Sequence, residues 1–240
     1  MEKTQGFVFK TEDMFEADRI FSVFTKDFGR IEVVGKSIRK IASKLRSGIP
    51  LFGLSEIEFI QGKNKKTLTD ALTVEKFPEI SQSPEKLMVA KTISEFVDRC
   101  IKGQEPDEGI FALLNETFGM LDNLSLTTAN FSLLYPYFFW NFVSLLGYKP
   151  ELASCVSCSQ KLNPYGLYFS AAEGGVLCKQ CSFLKREGIK INSALLKVMR
   201  LMLQKEWPIL LKVKVEKNWF ESLGIITNTY KQYILNRYGG

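Results

Sequence analysis

Alternating apolar residues through the first 79 positions, a switch to helical periodicity after Pro78, and two C-x-x-C pairs nineteen residues apart predict an α+β multidomain chain. The expected architecture is an N-terminal five-stranded OB-type β-barrel followed by an all-α domain with an embedded four-cysteine zinc module. The expected boundaries are 1–79 for the barrel, 80–240 for the helical domain and 155–181 for the zinc module inserted in it.

Five segments carry the barrel expectation: residues 6–10, 20–25, 30–34, 54–60 and 67–74. Their β-branched and aromatic residues alternate with polar ones, as in Ile57 and Phe59 against Glu56 and Glu58. Asp27-Phe28-Gly29 reads as a hairpin turn between the second and third strands, and Glu16, Asp18 and Arg19 as a charged turn between the first two. Between strands three and four, residues 36–46 place Ile38, Ile41 and Leu45 at helical spacing, which predicts a helical insert. Phe7 and Phe9 are expected in the barrel core, with stacking on bases as the alternative role.

The Ser81-Gln82-Ser83-Pro84 run marks the change of pattern, and Ser83-Pro84-Glu85 has the composition of a helix start. Val89, Ile93, Phe96, Val97 and Cys100 then form a helical stripe, with Cys100 expected as a buried structural thiol. Further helices are expected at 107–121, 127–146, 192–205 and 217–237. Residues 123–148 carry no charge, but Asn130, Pro136 and Asn141 interrupt the apolar run. A buried core helix, bent or broken near Pro136, is expected there in preference to a membrane span. The N-terminus leads into alternating residues with no apolar signal core, so the expected location is the cytoplasm.

Cys155-Val-Ser-Cys158 and Cys178-Lys-Gln-Cys181 have the spacing of a four-thiolate site. Each pair wraps one turn around an ion, and the intervening residues suffice for a hairpin that brings the pairs together. One structural Zn²⁺ per chain is the expected occupant, with a redox dithiol pair as the alternative. Four protein ligands close the tetrahedron and leave no position for water or substrate, so the ion is expected to hold shape only.

The chain contains no histidine, which removes Ser–His and Cys–His nucleophile pairs, a histidine general base and mixed Cys/His metal sites. Neither a G-x-x-x-x-G-K-[ST] loop nor G-x-G-x-x-G occurs, and Gly62 to Thr67 reads as a basic hairpin turn. No catalytic residue is assigned. The formal charge of +6 is uneven: residues 1–79 sum to +2, 80–154 to −4 and 155–240 to +8. Residues 26–46 alone hold Lys26, Arg30, Lys36, Arg39, Lys40, Lys44 and Arg46 against Asp27 and Glu32. A basic insert on a small barrel suits single-stranded nucleic acid, because cations neutralise phosphates while aromatics stack on bases. The competing readings are a protein-interaction scaffold whose barrel charge is incidental and an acidic-residue nuclease, for which no carboxylate cluster at metal-ligand spacing is evident.

Three stretches carry a family likeness: Phe7 to Thr11 with Glu16 to Ile20 and Phe24 to Arg30, then Leu145 to Leu152 leading into Cys155, then Phe169-Ser170 through Gly174 to Cys178. In order and spacing the chain resembles the bacterial RecO recombination-mediator family over nearly its whole length. The resemblance implies binding of single- and double-stranded DNA and annealing of complementary strands. It also implies partnership with RecR, contact with the C-terminal tail of single-stranded-DNA-binding protein, and indirect help in loading RecA during repair. By position, Arg19, Lys26, Arg30, Lys36 and Arg39 match basic positions of the family's OB domain. Lys40, Lys44 and Arg46 extend that DNA-binding set, and Lys197, Arg200 and Lys205 are candidates for the acidic tail. Ser159 departs from the family pattern, which usually has Gly after the second cysteine.

Overall fold

The computed structural model describes residues 1–125, 129–213 and 217–238. Five strands, β1 (Glu2–Met14), β2 (Asp18–Thr25), β3 (Gly29–Gly35), β4 (Leu54–Gln61) and β5 (Lys66–Glu75), close a barrel in the order β1-β2-β3-β5-β4. All neighbours are antiparallel except β3 and β5, which run parallel. This is the expected OB-type barrel. Its interior is filled by Val8, Phe21, Val23, Ile31, Val33, Ile57, Phe59 and Leu68, the inward set of each alternating strand.

The segment between β3 and β4 corrects the sequence expectation. Residues 36–43 are turns, and the one helical piece is a single 3-10 turn at Lys44–Ser47. Ile38 and Leu45 still pack into the barrel core, joined by Ile49, while Ile41 is 97% exposed. The physical reason lies in the backbone. Ser37 takes a positive φ of 52° and donates its N–H to Asp18 Oδ1, and Arg39 donates its N–H to Ala17 O. Hydrogen bonds that a helix would spend on itself therefore tie the segment to the β1–β2 turn. Gly48 is needed where the insert rejoins the barrel, since a Cβ there would lie 1.9 Å from Ala71 O.

Phe7 and Phe9 are fully buried, as expected of core residues, although not inside the barrel cluster. Phe7 meets the ring of Phe118 at 4.5 Å and Phe77 at 6.4 Å. Phe118 belongs to α3 (Glu108–Asn123), which with α1 (Pro78–Gln82) and α2 (Pro84–Cys100) completes the first compact unit, Met1–Leu124. Ser83 caps α2 by accepting from Lys86 N, and Asp107 caps α3 by accepting from Ile110 N. The α2 stripe buries Ala90, Ile93, Phe96, Val97 and Cys100.

The second unit, Ser125–Gly240, is built around α4 (Leu134–Leu145), whose buried residues include Tyr137, Phe138, Phe139, Trp140 and Phe142. The pattern expected at 127–146 resolves into a 3-10 segment, Ala129–Leu133, followed by α4; residues 127–128 lie outside the described residues. Pro136 sits in the first turn of α4, where a missing N–H breaks no helical bond. Asn141 is satisfied inside the core, donating to Tyr137 O and Met202 O. Around α4 lie a three-stranded sheet of β6 (Leu167–Ser170), β7 (Gly175–Cys178) and β8 (Ile189–Ile191), then α5 (Lys179–Lys185), α6 (Ser193–Leu203), α7 (Trp207–Leu210) and α8 (Lys217–Tyr238). Among the described residues no helix is long and apolar enough to cross a membrane.

Candidate metal centre and nucleic-acid interface

The two cysteine pairs are brought together by the β6–β7 hairpin. Cys178 ends β7 and Cys181 lies in the first turn of α5. Cys155 is held opposite them because Cys155 N donates to Gln160 O and Val156 N donates to Val176 O. The four Sγ atoms lie within 4.8 Å of one another. A tetrahedral ion with Zn–S bonds of about 2.3 Å would set them about 3.8 Å apart, and Cys158 and Cys178 are already at 4.0 Å. No cysteine of the chain is in a disulfide. The donor set and its spacing fit a tetrahedral soft-metal ion.

The electrostatics of the cluster point the same way. Burial opposes ionisation of Cys155, but the backbone N–H groups of Cys178, Cys158 and Ser157 outweigh it and bring the thiol down to about 6. Cys181 is pushed up to about 12 by burial and by its hydrogen bonds to neighbouring thiols. One sulfur is a ready thiolate while another resists becoming one. A divalent cation removes that conflict by neutralising all four together.

Two further residues fasten the first cysteine loop. Glu151 Oε1 accepts from Ala153 N and Ser154 N at 2.6 and 2.9 Å, and these amides hold its carboxyl below the usual carboxylate range. The Glu151 backbone also pairs with β7, where a Cβ on Gly175 would lie 2.5 Å from Glu151 O. Arg200 on α6 donates both Nε and Nη2 to Leu152 O. Arg200, a sequence candidate for an acidic partner, is thus engaged in holding this loop, while Lys197 and Lys205 are exposed. Ser159 adopts φ 59°, and its N–H donates to Cys155 O at 2.8 Å. A left-handed residue is required there, which is the physical reason that glycine suits the position.

The basic candidates divide into groups. Arg19, Arg39 and Arg46 converge on one concavity of about 300 Å³ at an end of the barrel, floored by Phe21, Ile38 and Ile49. Lys36, Lys40 and Lys44 are exposed on the same insert. Asp13 partly neutralises the site, with Oδ1 at 2.7 Å from Arg19 Nε and Oδ2 at 3.4 Å from Arg39 Nε. Arg19, with Arg39 behind it, holds the Asp13 carboxyl below its ordinary range. Arg46 has no hydrogen-bonded or ion-paired partner among the described residues.

Lys26 and Arg30 are not part of that group. Lys26 sits on the β2–β3 turn, the length of β2 away from Arg19, or about 20 Å. Arg30 is only 16% exposed and pairs with Asp98 at 2.7 Å and Glu32 at 3.0 Å. Asp98 also receives Lys10 at 3.0 Å, so Arg30 ties β3 to α2. Burial opposes the charge on Asp98, but Arg30 and Lys10 prevail and keep its carboxyl below the ordinary value.

One basic surface lies outside the sequence expectation. The β4–β5 turn carries Lys63 and Lys65, Lys66 opens β5, and a hollow of about 340 Å³ is lined by Arg30, Lys65, Lys66 and Lys102 with Glu32, Ile20 and Val34. It lies on the outer face of β2 and β3, the face with which OB folds commonly meet oligonucleotides. Its signal in the sequence is the lysine density of Gly62 to Lys66, which by itself reads only as a turn.

The family model described as "Recombination protein O N terminal" matches residues 1–77, and that described as "Recombination protein O C terminal" matches residues 81–239. Among the similar curated proteins is a "DNA repair protein RecO" from Dehalococcoides mccartyi strain 195, 31% identical over 98% of this chain and 91% of its own length. Proteins of the same name from Alkaliphilus metalliredigens and Caldanaerobacter subterraneus are 29% and 27% identical, over 97% and 89% of this chain and 92% and 84% of theirs. With both halves matched in order and the relatives aligned almost end to end, the chain belongs to the RecO family of DNA repair and recombination proteins.

Proposed function

We propose that this protein is a non-enzymatic recombination mediator that binds single-stranded DNA and anneals complementary strands. The observation that carries the reading is the convergence of Arg19, Arg39 and Arg46 on one concavity of a closed OB-type barrel, beside the exposed Lys36, Lys40 and Lys44. Annealing requires no covalent step. It requires that two polyanions be screened from one another, and cations that displace condensed counterions do this. The barrel, residues 1–79, supplies the primary DNA surface, and the hollow beside the β4–β5 turn extends it.

Within this reading the metal is Zn²⁺, one per chain, held by Cys155, Cys158, Cys178 and Cys181. Full thiolate coordination assigns it to structure, fastening residues 155–181 within the helical domain, residues 80–240. Family membership supports RecR and the C-terminal tail of single-stranded-DNA-binding protein as partners, RecA loading as the outcome, and a cytoplasmic, nucleoid-associated setting. Lys197 and Lys205 remain candidates for the acidic tail because neither side chain has a hydrogen-bonded or ion-paired partner among the described residues.

The test is the salt dependence of oligonucleotide binding by a variant with Lys36, Arg39 and Lys40 replaced by Ala. Weaker binding with a shallower salt slope in a folded protein is the expected result. Unchanged affinity and slope would reject the site. Failure of the wild-type protein to bind any oligonucleotide at low salt would reject the reading.

A further inference from the structure

The second compact unit presents an aromatic surface that the barrel site does not account for. Tyr165 is 86% exposed and Phe183, two residues after Cys181, is 81% exposed. Phe183 and the half-buried Tyr168 line a shallow groove of about 540 Å³ together with Lys179, Gln180 and Ser182. On the neighbouring strand Lys190 is paired directly across from Tyr168, so the two side chains stand on one face of the sheet. Gly166 brings the Tyr165 loop onto Lys179, since a Cβ at Gly166 would lie 3.0 Å from Lys179 Cβ.

The nearby carboxylates are already engaged. Glu173 pairs with Lys185 at 2.9 Å, and Glu187 accepts from Ser170 Oγ at 2.6 Å. The side chains of Lys179 and Lys190 have no hydrogen-bonded or ion-paired partner among the described residues. The groove therefore combines exposed rings with uncompensated cations. Closed coordination means that the cysteine centre beneath contributes rigidity and no open ligand position.

We infer that this face, made by Tyr165, Tyr168, Lys179, Phe183 and Lys190, is a second binding surface for single-stranded DNA. The inference rests on the barrel being a DNA site and adds a separate one on the other compact unit. The chemistry favours nucleic acid over a protein partner. Protein interfaces deplete lysine at their cores, whereas here Lys179 lies in the groove itself and Lys190 stands across from Tyr168. Rings interleaved with cations match what a single strand offers, a base face and a phosphate at every step. Two strand sites on one chain also give annealing a physical basis, because each complementary strand can be held while the other pairs with it.

The experiment places Phe183→Ala and Tyr165→Ala in full-length protein already carrying the Lys36, Arg39 and Lys40 substitutions. Binding of a labelled oligothymidylate about twenty nucleotides long is measured at low salt, with metal content and melting recorded on each sample. The barrel variant should keep residual, salt-sensitive binding, and each aromatic substitution should weaken it about tenfold. Phe183→Tyr, which keeps a ring, should restore it. Residual binding unaltered by either alanine, or no residual binding at all, would overturn the second site and leave the barrel site standing. A surface that serves a protein partner would give the first of these results. Wild-type protein that binds no oligonucleotide would remove both.

Discussion

The four-cysteine module and the basic insert between β3 and β4 both concentrate charge in a short stretch of chain, and they are built in opposite ways. In the module like-charged sulfurs are drawn together, with four Sγ atoms within 4.8 Å. Backbone amides from Cys178, Cys158 and Ser157 supply positive partial charge, and the arrangement is complete only with a cation. In the insert like-charged side chains face outward from turns that hydrogen-bond to the β1–β2 turn, with Asp13 partly offsetting Arg39. One region spends its charge on an internal ion. The other leaves it facing outward. The first is suited to hold shape and the second to hold a polyanion, so damage to the two should be separable.

The largest expected effect is on the metal side. Cys178→Ser should release the ion and lower stability by about 4 kcal/mol, or on the order of 10 °C in melting temperature. Metal analysis and a thermal melt measure it, and DNA binding through the barrel site should persist in protein held below the melt. On the other side, replacing Lys36, Arg39 and Lys40 with Ala should weaken oligonucleotide binding about ten- to a hundredfold at low salt and reduce the salt slope by about 2 to 3. The melting temperature and metal content should not move.

Smaller effects sharpen the boundary between structural and binding charge. Asp98→Asn should cost about 1 kcal/mol after solvent screening, by leaving Arg30 and Lys10 without their common partner. Because the folded-state value of Asp98 is depressed, its contribution is present above its unfolded value of about 4 and is lost as pH falls through the folded value. Acid melts of wild type and variant should therefore converge at low pH. Ser159→Gly should stabilise the module by about 0.5–1 kcal/mol, since glycine adopts the φ of 59° without strain. Asp13→Asn should tighten DNA binding about two- to threefold by freeing Arg19 and Arg39.

The same contrast explains what is legible in the sequence. Metal ligation imposes local spacing, so Cys155, Cys158, Cys178 and Cys181 announce themselves, and so do the alternating strands of the barrel. Burial of Phe7 and Phe9 is also readable, but the cover over Phe7 is not, because Phe118 lies more than a hundred residues along the chain. The insert reads as a helix because Ile38 and Leu45 do pack inward. Their spacing carries no record of the hydrogen bonds to Asp18 and Ala17 that hold the segment in turns. Arg30 and Arg39 look alike in sequence, yet one is tied to Asp98 and the other lines the concavity. A basic run shows how much charge is present; tertiary pairing decides which of it is available.

On the proposed reading, outward-facing charge on the barrel does the work while the cysteine centre holds the shape. The most direct test of that division is annealing of complementary oligonucleotides coated with single-stranded-DNA-binding protein by the Lys36, Arg39 and Lys40 alanine variant. Metal content and melting are measured on the same sample. Slowed annealing, with the ion and the melting temperature retained, is the predicted result. Annealing at the wild-type rate by that folded, metal-bearing variant would contradict it.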